Sequence, residues 1–123
     1  MTAEFCSTPA GGSWRNYDLS STTYERARFF KRPDGVVRLQ GLVLCGGDNS
    51  ECVTGNRIFI LPPGYRPAKR LVVATDGASQ GGTNVLHTRI DIAPDGGVVW
   101  YAVDANDKRD YITLSGISFR ASP

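Results

Sequence analysis

His87, the chain's one histidine, lies in "NVLHTRIDI", two residues before Arg89 and four before Asp91. A histidine near carboxylates raises the possibilities of proton transfer and metal binding. A zinc site needs further ligands, and neither a second histidine nor a cysteine set lies near it. Strand alternation puts His87, Arg89 and Asp91 together on a polar face, so His87 reads as a solvated or interface residue. A Ser–His–Asp triad assembles in space and not in sequence order, yet no serine sits in a nucleophile-elbow context. Asp91, Asp95, Asp104, Asp107 and Asp110 lie in or near expected turns. Aspartate bonds its own backbone there, which explains them better than a glycosidase pair does. "DANDKRD" lacks the spacing and terminal glutamate of a calcium loop. "GASQGG" lacks the Lys-Ser/Thr ending and following helix of a phosphate loop. The expectation is a protein that is not an enzyme and has no metal or cofactor.

Binding chemistry is the alternative. Loops on a rigid scaffold carry binding residues more often than strands do. Three polar loops stand out: "GGDNSE", "DGASQGG" and "DANDKR". Asp76, Gln80, Asn106 and Asp107 supply hydrogen-bonding groups suited to sugar hydroxyls, and Tyr101 supplies a ring for stacking. Trp14, Trp100, Tyr65 and Tyr111 are further rings, with core packing as the competing role. In a sandwich successive loops alternate between two ends, so all three are not expected to share a site. The pairing favoured is residues 76–83 with 104–109. The competing reading is ordinary solvated turns.

The 123 residues suit a single domain, and 41% apolar residues make it globular. With 14 glycines and 7 prolines, the punctuation favours short strands over long helices. A formal charge of +2 argues for neither nucleic acid nor an anionic membrane surface. No apolar run approaches the roughly 20 residues that span a bilayer. "MTAEFCSTPAGGSW" lacks a basic start followed by an apolar core, so it is not read as a secretory signal.

Residues 1–23, rich in Ser, Thr and Gly, read as an extended arm with little regular structure; residues 24–123 read as the folded body. "ERARFFKR", "PDG" and "VVRLQGLVL" form a hairpin signal, since Pro, Asp and Gly each favour the turn. In the second strand Val37, Leu39, Gly41 and Val43 share the face expected in the core. "RIFI", "RLVVAT", "NVLHTRIDI", "VVWYAV" and "YITLSGISFRA" follow, with "APDGG" as a second hairpin turn. Leu86, Thr88, Ile90 and Ile92 share one face of the "NVLHTRIDI" strand. "VVWYAV" is apolar on both faces, which serves a core on one side and a subunit interface on the other. The fold expected is all-β, an antiparallel β-sandwich or jelly-roll-like barrel of about eight or nine short strands.

"IFILPPGYRPAKRLVV" joins two of these strands. Pro62, Pro63 and Pro67 cannot donate ladder bonds, so the link is a rigid corner. Tyr65 is expected to pack there, and Arg66 to pair with an acid or a carbonyl. The ordered set "PDGVVRLQGLV", "IFILPPGYRPAKRLVV", "RIDIAPDGGVV" and "YITLSGISFR" resembles the C-terminal head domains of phage tail fibres and related virion appendages, from about Trp14 to Ala121. The resemblance implies a homotrimeric β-sandwich at a fibre tip. It would belong to a virion and be extracellular when functioning. Its partners would be other fibre proteins and a bacterial surface glycan, with no nucleic acid and no membrane insertion. A structural decoration or trimerisation module without ligand is the second reading, and a polysaccharide-degrading enzyme the third.

Cys6, Cys45 and Cys52 are too few for a disulfide scaffold. Cys45 and Cys52 bracket "GGDNSE"; strands flanking it in one hairpin would bring the sulfurs within bonding distance. Two reduced thiols in an ordinary loop are the alternative. A Cys45–Cys52 bond would contribute about 2–3 kcal/mol by loop-closure entropy, less any strain. Mass spectrometry of oxidised, non-reduced protein should find these two positions linked; free thiols at both would end the expectation.

Overall fold

Two turns of the same composition build the body. In residues 32–36, the Gly35 N–H donates to the Arg32 carbonyl (2.9 Å) and the Arg32 N–H to that of Val36 (2.8 Å). Asp34 Oδ1 accepts from the Val36 N–H at 3.1 Å, and Gly35 takes a φ of 90°. Residues 93–97 repeat this arrangement. The Gly96 N–H donates to Ala93 and the Ala93 N–H to Gly97, while Asp95 Oδ1 accepts from the Gly97 N–H at 2.9 Å. These are three-residue hairpin loops closed by a left-handed glycine.

The computed structural model describes residues 2–4, 14–16, 25, 27–45, 55, 57–78, 85–102 and 111–122. Among them are eleven strands and no helix: β1 (Thr2–Glu4), β2 (Trp14–Asn16), β3 (Arg28–Lys31), β4 (Val36–Gln40), β5 (Leu42–Cys45), β6 (Arg57–Ile60), β7 (Leu71–Ala78), β8 (Val85–Ile92), β9 (Gly97–Tyr101), β10 (Tyr111–Thr113) and β11 (Ser118–Arg120). They form two antiparallel sheets, ordered β1-β3-β4-β11 and β2-β5-β10-β7-β8-β9-β6. The fold is thus all-β and antiparallel, of the sandwich class. The N-terminal arm supplies an outer strand to each sheet.

The continuous strand expected over residues 36–44 is two strands. Val37, Leu39 and Val43 keep the expected buried face. At Gly41, with a φ of 98°, the chain leaves the four-stranded sheet and enters the seven-stranded one. Its antiparallel partner makes the same passage: β10 pairs with β5 and β11 with β4. The Leu114 N–H donates to the Gly41 carbonyl at 2.8 Å, and Ser115 Oγ accepts from the Gly41 N–H at 3.0 Å. A two-stranded ribbon therefore runs through both sheets. On the other side of β10 the ladder to β7 covers Gly77 and Ala78, and the Thr75 hydroxyl donates to the Thr113 carbonyl (2.7 Å) beyond it.

The inner faces meet in one core. Phe29, Val37, Leu39 and Phe119 come from the small sheet; Val43, Ile58, Phe59, Ile90, Ile92, Val98, Trp100 and Ile112 come from the large one. Phe29 and Phe59 stack across the gap, centroids 6.2 Å apart. A bulge between Arg57 and Phe59 lets both Ile58 and Phe59 be buried in succession. Each such side chain contributes roughly 1.5–3 kcal/mol by leaving water.

The proline link is the structural corner expected. Tyr65 meets Phe29 edge-on at 5.3 Å, and Lys31 both covers the Tyr65 ring and donates to the Gly64 carbonyl. Arg66 Nε donates to the Leu61 carbonyl at 2.8 Å. One expectation fails: β5 and β6, which flank the cysteine loop, are not a hairpin, because β10, β7, β8 and β9 lie between them. The chain exchanged local pairing for long-range ladders. Cys52 lies outside the described residues, so the thiol measurement decides the bond. Among the described residues no helix is long and apolar enough to cross a membrane.

Gly96 and Gly116 have nearly the same left-handed φ, but a side chain at Gly96 would run into the Leu61 carbonyl and the Arg66 guanidinium, whereas Gly116 faces open space. Gly116→Ala should cost about 1–2 kcal/mol from backbone strain alone. Gly96→Ala should cost a further 1–3 kcal/mol, approximately the loss of the Arg66–Leu61 bond. Denaturant titration of the two variants checks the difference.

Candidate functional site

The outer face of the large sheet carries polar and charged side chains in ladder register. Val72 opposes Asp91 and Asp91 opposes Val99; Ala74 opposes Arg89 and Arg89 opposes Tyr101; Asp76 opposes His87. Alternation in β8 puts His87, Arg89 and Asp91 on this face, as the sequence indicates, while Thr88, Ile90 and Ile92 point inward.

Asp91 departs from its expected role. It lies inside a strand, not in a turn, and its side chain has no solvent exposure although it is on the outer face. Two arginines cover it. Arg89 Nε donates to Oδ1 at 2.7 Å and Arg89 Nη2 to Oδ2 at 2.9 Å. Arg70, the last residue of the proline link before β7, donates from Nε to Oδ2 at 2.7 Å. The arginine side chains stay half exposed, 51% for Arg70 and 55% for Arg89. Burial pushes the Asp91 carboxyl upward, but the hydrogen bonds from Arg89 and Arg70 outweigh it and hold the pKa below the ordinary aspartate value. The same bonds raise both guanidinium groups.

Tyr101 completes the cluster. Its hydroxyl accepts from Arg70 Nη2 at 3.1 Å, and the Arg89 guanidinium lies 5.0 Å from its ring centroid. The expected stacking ring therefore already has a cation over it. Beside it is a shallow depression of about 340 Å³, lined by Ala74, His87, Thr88, Arg89, Tyr101 and Ala102. Asp76 is in β7 and not in the loop where it was expected. Its Oδ1 lies 3.2 Å from Nδ1 of the exposed His87. Asp76 and Tyr101 thus share a face, one strand apart. Gln80, Asn106 and Asp107 lie outside the described residues, as do Asp104 and Asp110. Asp95 has the turn role expected of it.

The expected alternation of loops between two ends also needs correction. Ala78 opposes both Val85 and Tyr111, and Leu44, next to Cys45, also opposes Tyr111. Arg89 opposes Tyr101, so β9 runs toward the start of β8 and ends four residues short of it, and the Gly55 N–H donates to the Trp100 carbonyl at 2.7 Å. The strand ends bounding residues 46–54, 79–84 and 103–110 therefore gather at one end of the large sheet. The proline link and the turns at 93–97 and 114–117 lie at the other. A strand order with long-range neighbours produces this; simple up-and-down alternation does not.

The arginines were missed in the sequence. The available signal was Arg89-x-Asp91 within an alternating strand, where aspartate is disfavoured unless it is paired. Among the described residues no group of three His, Cys, Asp or Glu side chains is placed to hold a metal. The structure therefore defines an antiparallel β-sandwich with a fixed arginine–tyrosine platform on the outer face of the large sheet. Compared with known protein families, curated proteins and solved structures, the chain matches none.

Asp91→Asn should cost about 1–3 kcal/mol, because a buried acceptor of charged donors is weakened. A lowered folded pKa means that the stabilisation is present above the ordinary carboxylate value of about 4 and is lost as pH falls through the folded value. Denaturation midpoints measured against pH should fall in acid for the wild type, and less steeply for the variant.

Proposed function

We propose that the chain is a non-enzymatic attachment module. In this reading it is a homotrimeric β-sandwich head of the tail-fibre type, carried on a virion appendage, that holds a bacterial surface glycan. The observation that carries the reading is the gathering, at one end of the large sheet, of the strand ends that bound three polar segments of the sequence. Binding modules put variable loops on rigid strand ends in this way. The ordered motifs that resemble fibre heads support it, and they occupy the turns and corner that build the sandwich. Trimerisation follows from the same resemblance. Val72, 60% exposed, and Ile60, 37% exposed, are large apolar side chains left at the surface for a neighbouring subunit to cover.

Light scattering should give the mass of three chains at micromolar concentration, and labelled protein should be retained by intact cells of some members of a bacterial panel. Periodate oxidation of those cells should abolish retention, and replacing Gln80 and Asn106 together by Ala should weaken it. A monomer mass, or retention that survives periodate, overturns the corresponding half of the proposal.

A further inference from the structure

The platform holds more positive charge than its own chemistry requires. Arg89 alone meets both oxygens of Asp91, which satisfies the buried carboxylate in the bidentate geometry that suits the pair best. Arg70 is surplus to that neutralisation. Two guanidinium groups on one carboxylate leave the cluster at +1 (two positive charges less one negative).

The surplus charge is held in place. Arg70 is tied at Nε to Asp91 and at Nη2 to the Tyr101 hydroxyl, while Arg89 is tied twice to Asp91 and lies over the Tyr101 ring. A free surface arginine loses rotamer entropy when it binds, and these two have lost much of it already. Each guanidinium has five N–H donors and no acceptor, and among the described residues two of the five are engaged in each. The Asp91 oxygens are taken up by three N–H groups and have no solvent exposure. The cluster therefore presents donors to solvent without a matching acceptor. Sugar hydroxyls, which donate as well as accept, are poorly matched to such a surface. Carboxylate and phosphate oxygens, which accept only, are well matched. The small side chain of Ala74, opposite Arg89 in the ladder, leaves room there for the ring that bears the anion.

We propose that Arg70 and Arg89 form the site for the anionic group of an acidic saccharide, a uronate carboxylate or a phosphate ester; this deepens the attachment reading and rests on it. The test titrates the intact protein with trigalacturonate, with its fully methyl-esterified form and with glucose 6-phosphate. The Nε–H resonances of Arg70 and Arg89 are followed by proton–nitrogen NMR, and retention on bacterial cells is measured in parallel. The expected result is a saturable shift of both resonances with trigalacturonate or glucose 6-phosphate. The ester should bind about tenfold more weakly or worse, and added salt should weaken the charged ligand's binding. A response to trigalacturonate alone assigns a carboxylate, and a response to glucose 6-phosphate alone a phosphate. Arg70→Gln leaves the Arg89–Asp91 contact intact and should reduce affinity about tenfold. Arg70→Lys keeps the charge, loses the fork and should still weaken binding. Unshifted resonances with both anions, or equal shifts with the ester, overturn the site. If cells still retain the protein in that case, the attachment reading stands without it. Anion binding by a protein that no cell retains would leave the site standing and remove the attachment reading.

Discussion

The bend shared by two neighbouring strands at Gly41 and at residues 114–117 is the constraint on which the sandwich depends. Strands β4 and β5 form one stretch of chain, and so do β10 and β11, yet each stretch serves both sheets. A ribbon can turn such a corner only if both strands turn at the same level, or their ladder breaks. The Leu114–Gly41 and Gly41–Ser115 bonds replace ladder bonds at that level. The left-handed φ of Gly41 and of Gly116 makes the turn without a Cβ penalty. Val37 and Leu39 before the bend and Val43 after it then fill the same core.

The proline link fixes the remaining freedom of the two sheets. Arg66 holds the Leu61 carbonyl with its side chain, and its own carbonyl accepts from the Ser122 N–H at 2.7 Å. Ala121 donates to the Gly35 carbonyl, and Arg120 Nη1 donates to that of Asp34. The first hairpin turn, the link and the end of β11 thus form one knot of backbone bonds. The link emerges from this knot at Arg70, so the side chain that meets Asp91 is positioned by the corner and not by a mobile loop. Core packing, corner and platform form one chain of constraint.

Turn chemistry was the most legible part of the sequence. Asp34 and Asp95 make the backbone bonds that Pro-Asp-Gly foretells, because those interactions span only a few residues. Face assignment in β4 and β8 was legible for the same local reason, a period of two. The change of sheet at Gly41 was not, since a strand that bends at a glycine keeps its alternation and shows no break in pattern. The burial of Asp91 was hidden because one of its partners, Arg70, lies 21 positions away and reaches it through a ladder that only the folded sheet creates. The gathering of loop ends was obscured likewise: β5 and β6 are consecutive in the chain but sit four strands apart in the sheet. Of the residues chosen for binding, Asp76 and Tyr101 share a face, whereas Gln80, Asn106 and Asp107 lie outside the described residues.

The Asp91 cluster is also a costly way to build the outer face of a sheet. Taking a carboxylate out of water costs several kcal/mol, which the arginine bonds must offset before any net gain appears. A buried ion pair replaced by well-packed apolar residues is often neutral or stabilising. Asp91 is flanked in its ladder row by Val72 and Val99, so a valine or threonine there would extend an ordinary β surface. Because the fold has a simpler solution at this position, stability does not account for the second arginine. What the cluster provides, and a valine would not, is a pair of guanidinium groups held at fixed positions, each with two of its five donors engaged among the described residues.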